Sequence, residues 1–319
     1  MRVVALVPGG IGDQILFFPT LDDLKRHYPN AQVDVIVEPR SKGAYRVSKT
    51  VRDVLAFDYK DRSSLADFGN LLGMIREREY DVAIALGQSW LVGLLLWLTG
   101  IPTRVGYKAG GTPFLTNPVP LNQQQYAAAM YHDLLQGLEI KSPCPELAVN
   151  VPTADIEWAE KEQKRLGISD TGYILIHGGS SKIAQVKGID KIYPVASWQE
   201  IIQQFQKQQP EMPIVVVQGP EDKELVQLLM QSCPGIKVTS PGDIGKLAAM
   251  IAGANLMVCT DSAPMHLSVA VQTYTIALFG PTESAKLLPQ SDRYVAIKSS
   301  TGNMADIPAK DVLEKIFGG

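Results

Sequence analysis

An aspartate stands six residues beyond a short β-branched run, in Pro8-Gly9-Gly10-Ile11-Gly12-Asp13. Gly10 and Gly12 let the backbone turn sharply and approach another molecule closely. Asp13 falls at a strand-to-helix corner, where two readings stand. One is a carboxylate serving the first helical turn. The other is a carboxylate aimed into a cleft, able to take a proton from an acceptor hydroxyl. Pro19 lies in the next apolar stretch and predicts a helix that is kinked or starts late. A dinucleotide fingerprint is not formed, because its third glycine position holds Ile15.

Further candidates lie in the second half. His177-Gly178-Gly179-Ser180-Ser181 ends a strand in small residues and hydroxyls, either a plain loop or a cradle of N–H groups for an anion. Lys191, in Lys191-Ile192-Tyr193-Pro194, precedes a helix. A cation there opposes the helix dipole unless an anion lies between, or else the lysine is simply solvated. In Gln218-Gly219-Pro220-Glu221-Asp222-Lys223-Glu224, acidic residues suit a first helical turn, and Glu221 or Glu224 could also meet a ribose. Cys259-Thr260-Asp261-Ser262-Ala263-Pro264-Met265-His266 delivers Asp261 to a strand end with a helix starting near Ala263. The N–H groups of that first turn suit a phosphate. Asp261 would repel a phosphate, so it either caps the helix or accepts hydrogen bonds from sugar hydroxyls. His266 is either a buried core histidine or part of the site. Phe279-Gly280-Pro281-Thr282-Glu283 marks one more strand end.

Other chemistries are not encoded. No Asp-x-Asp triplet, no His/Cys/Asp cluster at metal-ligand spacing, no Gly-x-Ser-x-Gly and no Walker A loop occurs. No metal and no cofactor is therefore expected, and phosphate charge would fall to Lys191, hydroxyls and helix N-termini. A net charge of −3 excludes nucleic acid as a bulk electrostatic partner. Cys144, Cys233 and Cys259 are too few and too scattered for a disulfide framework, which points to a reducing, cytoplasmic setting. The apolar run Val3–Val7 is too short for a signal peptide. Trp90–Ile101 falls well short of a bilayer span and reads as a buried helix, with a patch resting on a membrane surface as the rival reading.

Positioning these residues takes two α/β units. With 319 residues, the chain is comfortable as two domains, and the boundary is placed near residue 150 in a proline-rich region: 1–150 and 151–319. In the first, strands are expected at Arg2–Val7, Gln32–Val37, Val54–Phe57 and Asp81–Leu86, with helices at Leu65–Arg78 and Gln123–Leu138. In the second, strands are expected at Tyr173–His177, Ile214–Gln218, Leu256–Thr260 and Tyr274–Phe279. Its helices are Val195–Gln208, Glu221–Gln231, Asp243–Ala252 and Asp306–Phe317. Continuous apolar strands alternating with helices imply parallel sheets covered on both faces. Such sheets bind ligands at their strand C-terminal ends.

These motifs, in this order, resemble glycosyltransferase family 9, the heptosyltransferases. Gly12-Asp13 with Pro19 and Leu21 is similar to that family's opening signature. Lys191-Ile192-Tyr193-Pro194 with Trp198 is similar to its Lys-x-Trp-Pro element, with Tyr193 for tryptophan. Asp261-Ser262-Ala263 through His266 is similar to its Asp-[Ser/Thr]-Gly-x-x-His element, with Ala263 for glycine. Leu278 to Thr282 is similar to its Phe-Gly-Pro-Thr turn. The resemblance implies a GT-B fold of two Rossmann-like domains facing across a cleft, an acceptor-binding first domain and a donor-binding second, with the last helix packing back on the first. It implies Asp13 as general base of an inverting displacement without metal, in which Gly10 and Gly12 form the acceptor-side loop. Lys191, with Ser180 or Ser181, would neutralise a nucleotide diphosphate such as that of ADP-heptose. Asp261 would hold the donor sugar, with Ser262, Ala263, His266 and Thr282 around it, and Glu221 or Glu224 near the ribose. About eight residues between Ser181 and Lys191 look inserted. The implied partners are a nucleotide-sugar donor and a lipid-linked or outer-membrane glycan acceptor. A monomer is expected, in peripheral contact with the inner membrane. Two alternatives are a sugar-nucleotide-binding protein without turnover and a sugar-nucleotide epimerase or hydrolase of the same fold.

Overall fold

The computed structural model of the chain describes residues 1–59, 64–179, 189 and 191–318. They divide into two compact units, with the boundary between Asn150 and Val151. The first unit runs β1 (Arg2–Val7), α1 (Ile11–His27), β2 (Gln32–Val37), β3 (Asp53–Ala56), α2 (Leu65–Glu77), β4 (Val82–Ala85), α3 (Trp90–Thr99), β5 (Thr103–Tyr107), β6 (Asn117–Val119) and α4 (Ala127–His132). The second runs α5 (Thr153–Leu166), β7 (Ile174–His177), α6 (Val195–Gln208), β8 (Ile214–Val217), α7 (Lys223–Ser232), β9 (Lys237–Thr239), α8 (Ile244–Ala252), β10 (Leu256–Thr260), α9 (Ala263–Ala270), β11 (Thr275–Phe279), α10 (Ser284–Leu287), β12 (Tyr294–Lys298) and α11 (Ala309–Phe317).

Each unit is a parallel sheet of the same topology. The first has strand order β3-β2-β1-β4-β5-β6, and the second has β9-β8-β7-β10-β11-β12. β1 holds Val3 through Val7 buried, as a strand covered on both faces must. It pairs with β2 in the register Val3↔Val33 and with β4 in the register Val3↔Val82. In the second unit β10 takes the central place, Cys259 pairing with His177 of β7 and with Ala277 of β11. The order of connection reverses between β1 and β4, and again between β7 and β10. At such a reversal the loops leave in opposite directions and open a crevice at the strand C-terminal ends.

Several elements depart from the sequence expectation. α1 starts at Ile11 and runs on through Pro19. The late start is therefore corrected, and the helix tolerates one lost N–H bond because both flanks of the proline are buried. The helix expected over 123–138 is only Ala127–His132, followed by a 3-10 segment, Asp133–Leu138. The closing helix starts after Pro308, not at Asp306, because proline fixes the dihedral for a helix start. Within its own unit Phe317 stacks on Phe205 of α6 at 5.6 Å.

The reading of Trp90–Ile101 as a buried helix is also corrected. α3 buries Gly93, Leu95, Leu96 and Thr99. It leaves Trp90 and Trp97 each 54% exposed, with Leu91 and Leu98 beside them. Each pair recurs seven residues on, two helical turns along, which makes one apolar stripe facing outward. No helix among the described residues is long and apolar enough to cross a membrane.

The end of the first sheet remote from Asp13 is tied by a buried carboxylate. Asp34 of β2 has no exposure and accepts from Arg52 Nε at 2.9 Å, Arg78 at 3.0 Å and Tyr80 Oη at 2.6 Å. Burial alone would raise this carboxyl, but the arginines and the tyrosine outweigh it and hold it below the ordinary aspartate value.

Candidate functional site

In the first unit the loop after β1 turns through Gly9 at φ +121°. Gly10 then takes the N-cap position of α1, with Gly12 in its first turn. Asp13 is the third helical residue, and its Oδ2 accepts the Gly10 N–H at 2.7 Å. A Cβ on Gly9 would lie 2.3 Å from that same oxygen, so only glycine fits. Asp13 Oδ1 accepts the phenol of Tyr131, from α4, at 3.1 Å. A carboxylate offers about four lone-pair sites, so two donors leave room for a third. Asp13 is half-buried. The helix-serving reading holds, since the carboxylate completes the helix start, and it keeps acceptor capacity.

The loop is braced from behind. Ser41 Oγ donates to Gly9 O at 2.7 Å, and buried Gln14 donates to Val7 O at 3.0 Å. Tyr45 Oη donates to Gln14 Oε1 at 2.8 Å. Burial pushes the Tyr45 phenol well above the ordinary tyrosine value, so it stays a donor.

In the second unit Asp261 emerges from β10 with 3% exposure. Its Oδ2 accepts Lys191 Nζ at 2.6 Å and Thr282 Oγ1 at 2.6 Å. The anion that offsets Lys191's position ahead of a helix is therefore present in the chain. Two aromatic residues just beyond Lys191 seat it. Tyr193 and Trp198 are fully buried with rings 5.2 Å apart and edge-to-face, and Tyr193 Oη donates to Ile307 O at 2.9 Å. Each such aromatic burial stabilises by about 1.5–3 kcal/mol, which fixes the short segment carrying the lysine. Lys298, at the end of β12, donates to the carbonyls of Gly280 and Thr282 and braces the turn that holds Thr282.

Asp261 does not cap the helix after it. Ser262 occupies the N-cap position of α9 without a side-chain cap bond. Its hydroxyl instead lies 3.3 Å from His177 Nδ1 and 3.2 Å from Thr260 O. On the far side of that ring, His177 Nε2 lies 3.3 Å from Asp222 Oδ2, and Gly219 N–H donates to Asp222 at 2.9 Å. Burial by itself would raise the Asp222 carboxyl, but His177 and this N–H prevail and hold it low. Gly179 passes so close that a Cβ there would lie 1.7 Å from Asp222 Oδ1. The first-turn N–H groups of α9 carry the positive end of its dipole.

The structure thus brings Lys191, Asp261, Ser262, Ala263 and Thr282 to one edge of the second sheet, with His266 buried in α9 behind them. Gly10, Gly12 and Asp13 share the equivalent edge of the first. Glu221 and Glu224 are both exposed, and the inward acidic residue of that loop is Asp222. Ser180 and Ser181 lie outside the described residues. Sequence reasoning missed Tyr131, Asp222 as an inward group, and Lys298. The Gly219–Glu224 loop could have pointed to Asp222, whereas nothing local marked Tyr131 or Lys298, which ends a strand that was not expected. Among the described residues no group of three or more His, Cys, Asp or Glu is placed to hold a metal ion.

Comparison with known proteins agrees with this layout. The family model "Glycosyltransferase family 9 (heptosyltransferase)" matches residues 69–317. The chain is 27% identical over 335 aligned positions to the photosynthetic NDH subunit of subcomplex B 1, chloroplastic, of Arabidopsis thaliana, covering 96% of this chain and 71% of that protein. It is 24% identical to lipopolysaccharide heptosyltransferase 3 of Escherichia coli, over 94% of this chain and 89% of the relative. The solved structure of the E. coli heptosyltransferase WaaC with ADP-2-deoxy-2-fluoro heptose superposes with a TM-score of 0.76 at 18% identity, covering 99% of each chain. The fold is thus GT-B, with two Rossmann-like halves. A family match over most of the chain, on a fold of that kind, shows that the chain belongs to glycosyltransferase family 9, the heptosyltransferase family.

Proposed function

We propose that the chain is an inverting, metal-independent glycosyltransferase that moves heptose or a similar sugar from a nucleotide diphosphate donor to a lipopolysaccharide-like or other glycan acceptor. The observation that carries this is Asp13, a half-buried carboxylate pinned on both oxygens, at the sheet edge where the strand order reverses. Asp13 takes the proton of the acceptor hydroxyl as that oxygen bonds to the anomeric carbon. The bond from that carbon to the diphosphate breaks on the opposite face, which inverts the centre. Lys191 and the N–H groups of α9 meet the charge that develops on the leaving diphosphate, usually the largest contribution to such a rate. Asp261, with Thr282 beside it, accepts hydrogen bonds from the donor sugar. ADP-heptose is the favoured donor because a relative of like fold holds an ADP-heptose analogue.

The outward stripe of Trp90, Leu91, Trp97 and Leu98 supports a peripheral contact with a cytoplasmic membrane face. Flotation with anionic lipid vesicles tests it, and a chain that stays with the unbound fraction contradicts it. A second reading, a non-catalytic subunit, is favoured by the likeness to the Arabidopsis NDH subunit. Donor consumption separates the readings. Transfer predicts release of nucleoside diphosphate that needs glycan acceptor. An epimerase or hydrolase consumes donor alone, and a binding subunit consumes none.

A further inference from the structure

Resting on the reading of Asp13 as the base, we infer that Tyr131 is its positioning residue, seated by a buried Asp23–His132 pair. A carboxylate that only serves a helix start needs one oxygen, and Gly10 already occupies Oδ2. The second oxygen receives a phenol from 118 residues further along the chain. Its ring also rests edge-on against Phe17, at 6.4 Å, one helical turn beyond Asp13 on the same face.

Three successive residues of α4 each carry a tie to a different place. Met130 O accepts from Tyr107 Oη of β5 at 2.7 Å. Tyr131 reaches Asp13. His132 Nε2 lies 2.9 Å from Asp23 Oδ2, both side chains buried, and Ser142 Oγ donates to the same oxygen. The ties on either side leave the Tyr131 phenol little freedom to swing away. Burial, then the Asp13 charge, push that phenol far above the ordinary tyrosine value, so it donates at every working pH.

Neighbouring groups among the described residues face elsewhere. The 3-10 segment Pro39–Val47 packed on α1 presents Ser41 to Gly9 and Tyr45 to Gln14, while its Arg40, Lys42 and Arg46 are exposed. His132 faces Asp23, and His27 lies at the far end of α1, also beside Asp23.

Tyr131→Phe keeps the ring and its contact with Phe17 but removes the donor that fixes Oδ1 of Asp13. It is expected to lower kcat about tenfold, as a less fixed base loses alignment, with KM for the donor within about twofold of native. Site-specific 3-fluorotyrosine at position 131, which keeps the donating hydroxyl, should hold kcat near the native value. The assay uses ADP-heptose with an O-deacylated lipopolysaccharide core, and ADP affinity reports on folding. A native kcat in Tyr131→Phe, with Asp13→Asn inactive, overturns the role of Tyr131 and leaves Asp13 as base. Turnover retained by Asp13→Asn, or absent from the native chain, removes the base reading itself.

Discussion

Replacing Gly9 by alanine is a sharp test of how the first-unit loop is built. Two costs arise from the geometry. The residue must hold φ +121°, a region that strains any side chain by about 1–3 kcal/mol. Its new Cβ would stand 2.3 Å from Asp13 Oδ2, displacing the carboxylate and its bond to Gly10 N–H, worth about 1.5–3 kcal/mol for a charged acceptor. Together these come to about 2.5–6 kcal/mol. For a unit of this size each kcal/mol moves Tm by about 2–4 °C, so the first unit should melt about 5–24 °C lower. Shifting the base by about an ångström should also cost about 10²-fold in turnover. Gly43→Ala is the control, since a Cβ there meets nothing within 4 Å. It should change stability by under about 0.5 kcal/mol. Differential scanning calorimetry of both variants, with turnover measured alongside, decides. Equal melting of Gly9→Ala and Gly43→Ala would refute the close approach on which the Asp13 geometry rests.

Two other perturbations have definite expectations. Lys191→Ala removes a cation 2.6 Å from a buried carboxylate and should weaken ADP binding about 10–100-fold, the worth of a charge-assisted hydrogen bond. Titration calorimetry giving an unchanged Kd would count against Lys191 as the diphosphate partner. Asp23, Asp34 and Asp222 are all held below their ordinary pKa against the pull of burial, by His132 and Ser142, by Arg52, Tyr80 and Arg78, and by His177. A depressed folded-state pKa contributes stability that is present above the unfolded value and lost as pH falls through the folded one. Tm should therefore hold above about pH 5 and drop below about pH 4. Asp34→Asn should melt lower at neutral pH and show a flatter acid limb; an acid limb as steep as the native one would contradict the part given to Asp34.

How legible this was depended on where each element's driving force lay. β1, β2 and β10 match their expected bounds because a strand covered on both faces must be apolar throughout. The strands β5, β6, β9 and β12 were not expected. β6 is three residues with a proline, β9 is three residues, and β12, though apolar from Tyr294 to Ile297, is a half-exposed edge. α5 was missed because its sequence is polar with only a thin buried stripe, Asp155, Ala159 and Leu166. α3 misled in the other direction: composition says apolar, but burial depends on what lies opposite, and one face of it meets nothing in this unit. In the site, the strand ends were legible because glycine, proline and aspartate punctuate them. Tyr131 was not, since its meaning is a single contact made across 118 residues by the packing of α4 on α1.

Asp13→Asn tests the central claim most directly, because the amide keeps the volume and can still accept the Gly10 N–H while losing the ability to take a proton. Turnover of ADP-heptose with acceptor should fall by at least about 10²-fold, with the Kd for ADP unchanged. An Asp13→Asn variant that transfers sugar at the native rate would contradict the account.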